Sequence, residues 1–139
     1  MMTLNDVAEV CGVSPNSLND WIQNGFIEPA ERLGEGRGKG YRFSAAQVVA
    51  LMYGVNLKNL GAGRPMVRDA VALIASHGED GLRAALAEGR RVWWPEMGLT
   101  PVPPGVEVPR LLDLADVFRI VTGRFAHLKK VRAKGAKTT

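Results

Sequence analysis

The sequence predicts a mainly α protein, and three observations carry that expectation. Two short apolar-periodic segments, within residues 3–11 and 15–23, are separated by a turn at Gly12. From Arg32 to Phe43, Gly34, Gly36, Gly38 and Gly40 alternate with Glu35, Arg37, Lys39 and Tyr41, a pattern that suits a hairpin tip and not a helix. Beyond Ser44, apolar residues again recur at helical spacing, interrupted by one proline-rich stretch. Helix, turn, helix, hairpin and helix, in that order, make a winged helix-turn-helix with a small β-hairpin wing, followed by a helical C-terminal region.

Each element has a local reason. Thr3 can cap the first helix, with Asp6 three residues on, and Leu4, Val7, Ala8 and Val10 lie on one side of it. Gly12 ends that helix. Ser14 is a strong N-cap and Pro15 fits the first helical position, so a second helix restarts at once. Leu18, Trp21 and Ile22 share its inner face, Gly25 stops it, and Phe26 and Ile27 return to the core. Ser44 with Gln47 forms a capping box for a third helix whose apolar residues are Val48, Leu51, Met52, Val55 and Leu60, despite Gly54 within it. Gly61 and Gly63 break the pattern. Pro65 then opens a further helix through Val67, Val71 and Ile74, and residues 79–88 can form one more.

After Arg91 the composition shifts. Val92, Trp93 and Trp94 read as a short extended piece. Five prolines between 95 and 109 predict a linker without helix. Leu111, Leu114, Phe118, Val121, Phe125 and Leu128 then recur at intervals of 3 and 4, an a/d seam that could pair two chains or pack within one. The expected organisation is therefore a winged helix-turn-helix unit over 1–62, a helical extension over 63–91, a linker over 92–109, a C-terminal helix over 110–130 and a basic flexible tail over 131–139.

Length allows one core or two small ones. No apolar run approaches the roughly 20 residues of a membrane span, and the N-terminus does not read as a signal peptide, so a cytoplasmic, nucleoid-associated protein is expected. With Cys11 as the one cysteine, an internal disulfide and a multi-cysteine metal site are excluded, and no cofactor is expected. His77 and His127 stand alone and read as surface residues. The formal charge is +4 but unevenly spread: residues 1–116 carry a net −3 and residues 117–139 a net +7 with no acid. Such a tail favours nucleic acid or an acidic surface. No nucleophile with a base, phosphate loop or carboxylate pair is present, so an enzyme is not expected.

A helix set into the major groove needs short polar side chains near its N-terminus. Ser14, Asn16, Ser17 and Asn19 supply them, although Ser14 also serves as a cap. The helix has no Lys or Arg, and Asp20 would repel phosphate, so backbone grip falls to Arg32, Arg37, Lys39 and Arg42 of the wing. An arginine at such a tip can also enter a narrow minor groove.

These stretches together are similar to a known family. Leu4 to Ala8 (LNDVA), Gly12 to Pro15 (GVSP), Leu18, Gly25 to Ile27 (GFI) with Pro29, and Gly40 to Ser44 (GYRFS) resemble the winged-helix DNA-binding domain of the MerR family, shared in outline with phage excisionases. The resemblance spans residues 3–60. It implies that Arg42, the arginine of the Gly-Tyr-Arg motif that also contains Tyr41, touches DNA backbone. Asn19 stands where the family usually has arginine. Trp21 stands where a family aromatic contacts phosphate, or it belongs to the core. The expected function is sequence-specific binding of double-stranded DNA by a homodimeric transcriptional regulator. A recombination directionality factor, or an antitoxin or interaction module whose C-terminal half binds a partner protein, would read alike.

Overall fold

The structure is a computed structural model that describes residues 1–34, 40–103 and 105–138, with side chains described through Ala133. It begins with β1 (Met2–Thr3) and α1 (Leu4–Cys11). Thr3 and Asp6 make the reciprocal capping box: the Asp6 N–H donates to Thr3 Oγ1 and the Thr3 N–H to Asp6 Oδ2, both at 3.2 Å. Gly12 closes α1 at φ 72°, a left-handed conformation that favours glycine. Next come α2 (Pro15–Gln23), β2 (Glu31–Arg32), β3 (Tyr41–Phe43) and α3 (Ala45–Asn59).

The wing has one strand more than the sequence suggests. Strand β3 is central, pairing antiparallel with β2 on one edge (Arg32 opposite Tyr41) and with β1 on the other (Thr3 opposite Arg42). Two residues carry too little periodicity to announce a strand, so β1 is decided by its partner. Helix α3 is capped by Ser44 with Gln47 as expected and is buried from Val48 through Val55. A helix apolar all round belongs at the centre of a fold. Leu60, expected on its apolar face, instead caps the helix and is 55% exposed.

Around α3 lie α4 (Arg64–Ser76), α5 (Gly78–Ala87) and α6 (Leu114–Thr138). Val67, Val71 and Ile74 of α4 face inward as their spacing predicts. Gly54 explains why α3 tolerates a glycine at mid-helix. A Cβ there would stand 2.5 Å from Val71 Cγ2 and 3.2 Å from the nearest Trp21 ring carbon. Its absence lets α3, α4 and α2 approach.

Two expectations for the C-terminal half need correction, and the seam takes one of the two courses left open for it. Residues 92–109 are not simply a linker. Strands β4 (Arg91–Trp94) and β5 (Gly98–Pro101) form an antiparallel hairpin whose Trp93 is buried in the main core. Prolines forbid helix, but Pro101 tolerates a strand end. The seam at 111–128 is largely consumed within the chain. Leu114, Val117, Phe118 and Val121 are buried in the same core as α1 and α3, while Leu111 sits in a 3₁₀ turn (Arg110–Leu112) and is 45% exposed. Burying such side chains stabilises by about 1.5–3 kcal/mol each, which here fastens α6 to its own domain. Finally, the backbone beyond 130 continues α6 as far as Thr138.

A polar hub joins the two halves. Tyr53 is fully buried on α3; its hydroxyl donates to the Leu112 carbonyl at 2.8 Å and accepts from the Trp93 N–H at 3.0 Å. Burial pushes the phenol up to about 12, so it stays a neutral donor. Asp113 is also buried, accepts from the Ala115 N–H at the start of α6, and pairs with Arg90.

Candidate nucleic-acid interface

Helix α2 is built to project polar groups outward. Ser14 Oγ accepts from the Ser17 N–H at 3.1 Å and donates to Ser17 Oγ at 2.9 Å, which satisfies an otherwise orphaned donor of the first turn. Leu18 and Ile22 are buried one turn apart, which sets the rotation of the helix. Asn16, Asp20 and Gln23 consequently face solvent, with Ser14 and Ser17 exposed at the N-terminal end. Short polar side chains thus stand exposed at the end of the helix that enters a groove first.

Two of the expected contact residues sit differently. Asn19 is half-buried, and its Oδ1 is a buried acceptor with no hydrogen-bond partner among the described residues. Leaving such a group unpaired costs about 1–3 kcal/mol. Trp21 is half-buried, stacks on Phe26 at 5.0 Å between ring centroids, and closes over Gly54. It therefore serves the junction of α2 with α3 whether or not its edge also meets a phosphate.

In the wing, Arg32 holds the hairpin together. It donates to Glu28 Oε1 at 2.8 Å and to the Tyr41 hydroxyl at 3.2 Å, and lies over the Tyr41 ring at 4.9 Å. That guanidinium holds the Glu28 carboxyl below its usual value. Tyr41 is buried, so its place in the motif is to brace the wing. Arg42 is half-buried and donates to the Tyr41 carbonyl at 2.9 Å. Arg37 and Lys39 lie outside the described residues.

Further cations stand against α2, and the sequence pattern did not reveal them. A cleft of about 260 Å³ separates α2 from the turn between α3 and α4, lined by Ser17, Asp20, Trp21, Asn24, Lys58 and Arg64 among others. Beside it Arg68 donates to the Asn24 carbonyl at 2.9 Å and covers the Phe26 ring at 5.1 Å. Helix α4 starts at this cleft with Gly63 as cap, no side-chain cap bond and no acid in its first turn. A cation at a helix N-terminus is unfavourably placed with respect to the dipole. Arg64, at the start of α4, therefore adds its charge to that helix end beside α2, joined by Lys58 from the last turn of α3 and opposed there by Asp20. Only the sign pattern at Gly63-Arg64-Pro65, a basic and uncapped helix start, could have drawn attention to them.

Cys11 is buried, and burial pushes its thiol up to about 12, which makes it a core residue without nucleophilic character. No helix among the described residues is long and apolar enough to cross a membrane. A family model described as a helix-turn-helix domain matches residues 1–53, a span that covers both helices, the wing and the first part of α3. The match supports a DNA-binding role for this unit. No curated protein and no solved structure is matched by the chain.

Proposed function

We propose that this chain binds double-stranded DNA sequence-specifically and regulates transcription in the cytoplasm, on the nucleoid, acting by binding and not by catalysis. The carrying observation is the solvent face of α2. A capped helix presents Asn16, Asp20 and Gln23 outward, while Lys58 and Arg64 from another element stand at its flank. In this reading exposed Asn16 bonds bidentately to adenine, with Ser14, Ser17 and Asn19 as neighbouring base or phosphate contacts. Arg42 and the wing residues Arg37 and Lys39 supply backbone grip, joined by Lys58 and Arg64, and Trp21 and Tyr41 act by holding the two elements in place. The likeness of residues 3–60 to MerR regulators supports the regulatory reading.

Because the 114–121 face is used within the chain, a homodimer must pair through other surface. Selecting bound sites from a random DNA pool tests the whole proposal. Enrichment of palindromes with fixed half-site spacing is the expected outcome, and recovery of no common sequence defeats it. Asn16→Ala should cost on the order of 1–3 kcal/mol at particular base pairs; equal losses on random DNA would show that Asn16 does not read sequence.

An antitoxin-like role is favoured by a separate observation. At the turn between β4 and β5, Trp94 is 51% and Met97 69% exposed, and such a pair suits a protein partner. Replacing both with Ser should leave DNA binding intact and abolish capture of a toxin encoded beside the gene.

A further inference from the structure

Three connections link α6 at Arg132 to the strand that carries Arg42. Helix α6 runs antiparallel to α1: Arg124 Nη1 donates to the Val10 carbonyl at 2.6 Å near one end, and Arg132 forms an ion pair with Asp6 near the other. Asp6 is tied to Thr3 by the capping box, and Thr3 lies opposite Arg42 in the sheet. One ion pair, one capping box and one antiparallel backbone pair thus separate Arg132 from the wing arginine. The Asp6 side chain is only 5% exposed whereas that of Arg132 is 61% exposed, so a fixed carboxylate sets the direction of the helix. From there α6 continues to Thr138, about 9 Å further at 1.5 Å per residue.

This end of the helix carries unbalanced charge in the sequence. Residues 117–139 contain seven Lys and Arg and no acid. Lys129 and Lys130 are exposed, Lys129 lying over the Phe125 ring at 4.6 Å, and the sequence adds Lys134 and Lys137 at helical spacing. Core packing engages the helix mainly through Val121, with Phe125 and Leu128 half-buried, and so accounts for none of these lysines.

The geometry points to the last turns of α6 as a third backbone contact, an arm that neutralises phosphates next to those reached by the wing. This inference rests on the DNA-binding reading above. Lysine is a compact point charge, so the arm adds affinity and salt dependence without reading bases.

The test compares the full chain with a variant carrying K129Q, K130Q, K134Q and K137Q, by anisotropy titration of a mixed-sequence duplex pool between about 50 and 200 mM salt. Gln is close to Lys in helix propensity, so the helix should persist, as circular dichroism would verify. Each lost phosphate contact removes about 0.9 from the slope of log K against log salt, so the slope should fall by about 2 to 4. Restoring charge with arginine at the same four positions should restore the slope, which separates a charge effect from a folding defect. An unchanged slope in a variant whose parent chain binds DNA overturns the arm while leaving the DNA-binding reading standing. Absence of duplex binding by the parent chain removes both. A variant with unchanged slope that no longer sediments with phosphatidylserine vesicles would assign the helix end to an anionic lipid surface, again overturning the proposal.

Discussion

The same substitution at two glycines should have opposite signs. Gly123 lies in α6 with nothing within 4 Å of where its Cβ would be. Gly123→Ala should therefore gain close to the full propensity difference, about 1 kcal/mol. Gly54 lies in α3, and an added Cβ would sit 2.5 Å from Val71 Cγ2, with Trp21 ring carbons at 3.2 and 3.4 Å. Ordinary carbon contacts need about 3.5–4.0 Å, so Val71 and with it α4 must retreat by about 1 Å, while the Trp21 ring need give only a few tenths of an ångström. Val71 is buried and β-branched, and its single preferred χ1 leaves it little room to turn aside. Overpacking of this kind costs about 1–3 kcal/mol, which outweighs the same propensity gain and leaves a net loss near 1 kcal/mol. The two variants should then differ by about 2 kcal/mol in urea unfolding followed by circular dichroism, with unchanged m-values. In a Val71→Ala background the penalty at position 54 should largely vanish, because the clashing methyl is gone. If Gly54→Ala stabilises as much as Gly123→Ala, the close approach of α3 to α4 and Trp21 is wrong.

Other perturbations probe other links. Tyr53→Phe should cost about 1–3 kcal/mol in chemical denaturation, since it strands the Trp93 N–H and the Leu112 carbonyl in the interior; a neutral result would remove the hub. Burial opposes the Asp6 carboxylate, but Arg132 and Thr3 outweigh it and hold the carboxyl below its ordinary value of 3.8. The unfolded chain then binds that proton more tightly, so this stabilisation is complete above the ordinary value and lost as pH falls through the folded one. Asp6→Asn should accordingly flatten the acid limb of a plot of urea midpoint against pH. Arg42→Ala should weaken binding on all DNA sequences alike and lower the salt slope by about 0.9; an unaltered slope would take Arg42 out of the interface. Deleting residues 110–139 should unfold the chain, not merely yield a monomer, because Leu114, Val117, Phe118 and Val121 leave the core with it. Sedimentation together with circular dichroism distinguishes the two outcomes.

What the sequence settled by itself is local. Thr3 with Asp6, Ser14 with Pro15 and Ser44 with Gln47 mark helix starts because a cap and the amide it satisfies lie three residues apart. Gly12 and Gly25 mark stops because left-handed backbone strongly favours glycine. These signals were enough for the helix-turn-helix, the wing hairpin and the outward face of α2. The tertiary structure decided everything that depends on which surfaces meet. An a/d seam at 111–128 says that a face is apolar, but not whether α1 and α3 or a second chain will cover it. Strand β1 exists through β3, distant in sequence, the hairpin at 91–101 pairs locally but is seated by Tyr53 and the core around Trp93, and Lys58 and Arg64 reach α2 only because α3 and α4 fold back beside it. Periodicity records that a face must be buried; the partner that buries it is chosen by the packing of the whole chain.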